Sequence, residues 1–121
     1  MRSFLVRSLP LILVPVVLIA LAGCVRQPAQ ILGNGSAFGA VTSIRDLKSS
    51  AAPVTIQGTM IEKCPVAGCW FKVQDPTGVL KVDTKTAGFV VVDVPVGSRV
   101  TVSGRLQAAP ERQISALGVR Y

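Results

Sequence analysis

The sequence predicts an all-β domain, a small closed barrel of five strands over residues 40–121, preceded by a signal peptide at 1–23 and a flexible tether at 24–39. Three observations predict it. Fifteen valines lie between Cys24 and Tyr121, and β-branched residues suit a pleated, half-buried surface. Apolar and polar residues alternate over short runs punctuated by Gly and Pro, the period-2 signature of strands. Gly58 and Gly104 stand in the middle of two of those runs, where an interior Gly lets a strongly coiled strand bend between two sides of a barrel. The whole-chain averages hide this pattern. Of the 50% hydrophobic residues behind a mean hydropathy of +0.53, 16 fall in the first 23 positions, and 44 of the remaining 98 residues are hydrophobic, an ordinary share for a soluble domain. A chain of that size buries one modest core and excludes a two-domain enzyme with an interdomain cleft.

Arg2 and Arg7 form a positive n-region, and Leu9 to Leu21 is an apolar stretch of 13 residues, shorter than the roughly 20 needed to span a bilayer core. Pro10 and Pro15 within it disfavour a spanning helix. The stretch ends in Leu21-Ala22-Gly23-Cys24, which resembles a bacterial lipobox. The resemblance implies that the Cys24 thiol receives a diacylglycerol and becomes the new N-terminus, so the protein is anchored to a membrane without crossing it. Val25 rather than Asp after the Cys resembles the outer-membrane class in a Gram-negative cell. An envelope location facing the periplasm follows from that resemblance.

From Val25 to about Gly39 the chain is mostly small and polar and reads as a tether. Val41 to Ser50 carries Ile44 and Leu47 three apart, one or two helical turns against the domain edge, broken by Ser49-Ser50-Ala51-Ala52-Pro53. The first strand is 54–60, with Val54, Ile56, Gly58 and Met60 on the inner face. A loop from Cys64 to Cys69 leads to a second strand at 70–75, with Phe71 and Val73 inward beside Cys69, and Trp70, Lys72 and Gln74 outward. Asp75-Pro76-Thr77-Gly78 is a turn, and 79–83 is the third strand. Residues 88–94 read as either a strand or a bridging segment. The fourth strand points Val100, Val102, Gly104 and Leu106 inward and Thr101, Ser103 and Arg105 outward. A polar loop at 107–113 precedes a terminal strand at 114–121.

The patterns Val54-x-Ile56-x-Gly58-Thr59, Cys64-x-x-x-Gly68-Cys69-Trp70-Phe71 and Gly97-Ser98-Arg99-Val100-x-Val102-x-Gly104-Arg105-Leu106 together resemble the OB-fold domains of a group of largely uncharacterised exported bacterial proteins and lipoproteins. The resemblance covers about residues 40–121 and implies an OB-fold-like barrel. It carries no function with it.

The Cys64 and Cys69 pair admits three readings. Facing positions on neighbouring strands bring Cα atoms within disulfide range, an exported location favours oxidation, and Cys24 is consumed by lipid, leaving an even pair. The second reading is a thiolate clip for a soft metal such as Cu(I), with Met60 as a thioether ligand; the four-ligand zinc spacing is missing. The third is a redox-active dithiol, which lacks Cys-x-x-Cys spacing but has Lys63 and Lys72 nearby to favour a thiolate.

The absence of His removes the Ser-His-Asp triad, the Cys-His pair and His-ligated zinc. The carboxylates Asp46, Glu62, Asp75, Asp83, Asp93 and Glu111 are scattered, with no acid/base spacing. No phosphate loop appears. The expectation is a protein that is not an enzyme and carries no cofactor. From Cys24 onward 11 Lys plus Arg face 6 Asp plus Glu, and Trp70, Lys72 and Lys81 lie on the strands that form the usual ligand face of an OB barrel. A protein or an anionic envelope component is the expected partner, besides the membrane. Nucleic acid is not expected, because one outward aromatic makes too thin a stacking platform. The rival expectation is a periplasmic Cu(I) or thiol-redox protein using Cys64 and Cys69.

Overall fold

The structure, a computed structural model, describes residues 29–121. The signal peptide at 1–23, Cys24 with its expected lipid, and the first residues of the tether lie outside the described residues. Among the described residues six strands form: β1 Ile31–Gly33, β2 Val54–Lys63, β3 Trp70–Asp75, β4 Gly78–Asp83, β5 Arg99–Gln107 and β6 Gln113–Arg120. Five of them close a barrel in the order β2, β3, β4, β6, β5 and back to β2. Only the β4 and β6 pair is parallel. That closed, five-stranded arrangement is OB-fold-like.

Closure depends on β2 changing partners. Val54 to Thr59 pair with β5, and Thr59 to Lys63 pair with β3, so the hand-over falls at Thr59. Gly58 precedes it, and a Cβ there would collide with the carbonyl of Gln74 on β3. Gly104 stands at the register shift between Ser103 and Gly104, where a Cβ would meet the Ser115 carbonyl and the Ile114 side chain. The two glycines therefore permit strands to cross at closer approach than any side chain allows. Inside, Ile56, Met60, Phe71, Val73, Val82, Val102, Ile114 and Val119 are fully buried, each removing roughly 1.5–3 kcal/mol worth of apolar surface from water.

Ile44–Asp46 forms a single 3-10 turn, and Ile44 and Leu47 both enter the core. The turn is fastened from below. Asp75 Oδ2 accepts from the Ile44 N–H at 2.9 Å, Thr77 Oγ1 accepts from the Arg45 N–H at 3.1 Å, and Arg112 donates to the Ile44 carbonyl at 2.9 Å. Residues 84–98 form no strand and bridge β4 to β5, burying Val91 and Val94 while Val90, Val92 and Val96 stay exposed.

Two expectations are corrected. The stretch 24–39 is not tether throughout, because Ile31, Leu32 and Gly33 pair with Arg120, Val119 and Gly118 of β6. β4 pairs with β6 only at Gln113 to Ser115; β1 takes the remaining length of that edge, whose backbone groups would otherwise lack partners. The folded domain therefore includes Gln30, whose N–H and carbonyl both bond to Tyr121, at 2.8 and 2.9 Å. The second correction concerns Thr101 and Ser103, which point away from the core yet are 6% and 0% exposed. The segment after β1 crosses over Ser103, whose Oγ donates to the Ala37 carbonyl at 2.6 Å, and its Gly39 N–H donates to Thr55 Oγ1 at 2.9 Å; Thr101 Oγ1 instead accepts from Gln57 Nε2 at 3.1 Å. Their hydroxyls are buried because each has a partner.

Candidate functional site

The loop joining β2 to β3 is set by a register change within the hairpin. Met60 pairs with Val73, but Glu62 pairs with Lys72, so Ile61 is an extra residue, a β-bulge. An unbroken register would set Cys64 against Cys69. The bulge moves it by one, and Cys64 instead faces Trp70, its N–H bonding the Trp70 carbonyl at 2.9 Å. The expectation that the two cysteines face each other across the strands is corrected accordingly. The chain then curls through Pro65, Val66 and Ala67, with the Gly68 N–H returning to the Cys64 carbonyl at 3.3 Å. This curl brings the two thiols together by another route.

Both cysteines are unbonded and half-buried. The N–H groups of Ala67 and Val66 point at the Cys64 sulfur and, with a hydrogen bond from the Cys69 thiol, outweigh partial burial to bring the Cys64 thiol down to about 6. Cys69 moves the other way: its hydrogen bond to Cys64, burial and the neighbouring negative sulfur raise it, opposed by the Lys85 ammonium. The pair is therefore asymmetric, one sulfur a thiolate at neutral pH and the other a thiol. Neither lysine named from the sequence is the cation involved. Lys63 donates to the carbonyls of Val92 and Val94 at 2.8 and 2.6 Å, and Lys72 lies 3.5 Å from Glu62 Oε2. Lys85, missed because it arrives from the segment after β4, acts on Cys69, while the Cys64 thiolate is favoured by backbone N–H groups and the Cys69 thiol. Met60 is fully buried in the barrel core, and among the described residues no cluster of three His, Cys, Asp or Glu side chains forms.

The curl is pinned to the bridge between β4 and β5. The Gly68 carbonyl accepts from the Val91 N–H at 3.0 Å and from the buried Thr84 hydroxyl at 3.2 Å, and the Thr84 N–H bonds the Cys69 carbonyl at 2.9 Å. Beside Cys69 opens a surface cleft of about 400 Å³ lined by Thr84, Lys85, Gly88, Phe89 and Val90.

Trp70, Lys72 and Lys81 are brought together. Lys72 is the direct cross-strand partner of Lys81, and the Lys81 ammonium lies 5.6 Å from the Trp70 ring centroid, a cation–π distance. The two cations are also partnered by carboxylates, Lys72 by Glu62 and Lys81 by Glu111 at 3.6 Å. Such exposed pairs are worth about 0–1 kcal/mol and yield readily to a competing anion. A polar cleft of about 510 Å³, lined by Gln57, Thr59, Gln74, Asp75 and Arg99 among others, contains none of these residues.

No family model matches this sequence, and no curated protein matches it. Among solved structures the chain is similar to the hypothetical protein ygiW from E. coli, with a TM-score of 0.51 and 20% identity over 68% of this chain and 89% of that one. The likeness extends to the small barrel fold.

Proposed function

We propose that this protein is a lipoprotein of the exported OB-fold group, anchored at the cell envelope through Cys24, whose barrel serves as a non-catalytic binding module for a protein or an anionic envelope component. The observation that carries the reading is the grouping of half-exposed Trp70 with Lys81 and Lys72 on the outer face of β3 and β4. An indole flanked by two ammonium groups offers an anionic ligand both a flat apolar contact and charge. The weak pairs to Glu62 and Glu111 hold the lysines extended until a stronger anion displaces the carboxylates. An envelope location, facing the periplasm from the outer membrane of a Gram-negative host, rests on the lipobox resemblance of residues 21–24 and on Val25; it would put anionic lipid and lipopolysaccharide within reach.

The chain contains one Trp, so its fluorescence reports on this face alone. Titrating the protein with lipopolysaccharide, and separately with vesicles containing phosphatidylglycerol, should shift or quench Trp70 emission in a salt-sensitive manner. Replacing Lys72 and Lys81 together by Gln should weaken the response about tenfold or more. An emission unchanged by either probe, together with no partner protein crosslinked near residue 70, would sink the reading.

A further inference from the structure

The second feature of the molecule lies at the far side of the same hairpin loop and makes no use of the Trp70 face. We propose that Cys64 and Cys69 form a thiol–disulfide exchange site, Cys64 attacking and Cys69 resolving, whose substrate is a small disulfide carrying carboxylates that seats in the cleft beside Cys69.

Five observations converge on it. Cys64 and Cys69 stand at the two ends of a curl closed by the Gly68 N–H to Cys64 carbonyl bond at 3.3 Å, which sets one thiol within hydrogen-bonding reach of the other, so that one can attack a bond made by the other. The curl presents the successive backbone N–H groups of Val66 and Ala67 to the Cys64 sulfur, the arrangement by which a peptide concavity holds an anion. The resulting thiolate, brought to about 6, is half-exposed and able to meet a substrate. The cleft next to the second sulfur has apolar walls from Phe89 and Val90 and one cation, Lys85, which suits a ligand with a short carbon chain ending in carboxylate. The bridge holds the curl in this form through the Gly68 carbonyl, so the asymmetry is built in before any substrate arrives.

The chemistry balances without another reactant. The Cys64 thiolate attacks one sulfur of a disulfide RSSR, forming a mixed disulfide and expelling RS⁻. That RS⁻ takes the Cys69 proton and leaves as RSH. The Cys69 thiolate then attacks the Cys64 sulfur, closing the Cys64–Cys69 disulfide and expelling the second RS⁻. The protein loses two electrons, and the small disulfide gains them as two thiol equivalents. Run backwards, the same steps reduce the protein.

Trypsin releases both residues on one peptide, Cys64 to Lys72, which separates them from Cys24 in the full-length protein. The reduced protein is treated with glutathione disulfide at pH 7, quenched in acid, alkylated, digested and weighed. Wild type should give the internal disulfide without accumulating adduct. Cys69→Ser should trap glutathione on Cys64, and Cys64→Ser should react at least tenfold more slowly. The initial rate should be about tenfold lower at pH 5 than at pH 7. A brief iodoacetamide pulse on unmutated protein, mapped by fragmentation, should label Cys64 before Cys69 and requires no variant to fold. Preferential labelling of Cys69, or no adduct on Cys64 when Cys69 is Ser, overturns the exchange site. Lys85→Gln should slow glutathione disulfide about threefold or more relative to the cationic disulfide cystamine. An unchanged ratio overturns the assignment of an anionic substrate. Each of these results is independent of whether Trp70 binds anything.

Discussion

Asp75 shows how one side chain joins two distant pieces of chain. Its Oδ1 accepts from the N–H groups of Thr77 and Gly78 and from the Thr77 hydroxyl, while Oδ2 accepts from the Ile44 N–H. Burial opposes ionisation, but the Thr77 hydroxyl and the N–H groups of Ile44, Thr77 and Gly78 together outweigh it and hold the carboxyl below its ordinary value. A folded-state value below the unfolded one contributes stability above the unfolded value, near 3.9, that is lost as pH falls through the folded one. Asp75→Asn should set an amide donor against the donors around it, at Ile44 or at Thr77 and Gly78. The expected loss is about 2 kcal/mol in urea denaturation at pH 7, and the difference from wild type should shrink below about pH 4. A difference constant with pH would mean that the charge contributes nothing. The sequence named Asp75 as a turn residue correctly, but its second role needs Ile44, 31 positions away, and no local pattern signals such a partner.

At the scale of elements, what was legible followed from strict alternation. β2 to β6 lie where apolar and polar residues trade places, and Gly58 and Gly104 stand where neighbouring backbone comes too close for a side chain. β1 was not legible, because three residues with Ile31 and Leu32 adjacent show no alternation, and their strand character comes from the open edge of β6. Ser103 and Thr101 were placed on the correct side of β5 but given to solvent, because the partner of Ser103 arrives from Ala37 and that of Thr101 from the Gln57 side chain. The Ile61 bulge was invisible for a related reason: an extra residue has no composition of its own, and it alone decides that Cys64 faces Trp70. If β1 belongs to the fold, Leu32→Ala should cost about 1–2 kcal/mol, less than the 2–5 of a fully buried Leu, since Leu32 is only partly buried. Hydrogen exchange should then quicken at the N–H groups of Asn34 and Tyr121, which bond across this pair, and remain slow between β2 and β5. Equal acceleration everywhere would mean that β1 unfolds only with the whole domain.

For the whole molecule, closure is the property on which the other features depend. It removes free edges from most of the sheet and sets β3 between β2 and β4, which is why the Trp70 face, on β3 and β4, adjoins the thiol curl between β2 and β3. The closure point at Gly58 admits no side chain, so Gly58→Ala should destabilise the domain by about 1–3 kcal/mol, the usual cost of overpacking, measured by thermal or urea unfolding. Adding the same methyl at Gly88, where nothing lies within 4 Å, introduces no collision; its left-handed φ of +83° gives instead a purely backbone penalty for comparison. A Gly58→Ala protein as stable as wild type would show that β2 can give way at the crossing.

The pairing of Gln30 with Tyr121 has one more implication. Two backbone hydrogen bonds lock Gln30 beside Tyr121, so a linker of a few residues could join them and leave every strand pairing intact. The chain could then be opened in the exposed loop at 108–112 between β5 and β6. The barrel is in this sense a ring of strands, and the order in which its sequence is read is separable from the shape that the sequence makes.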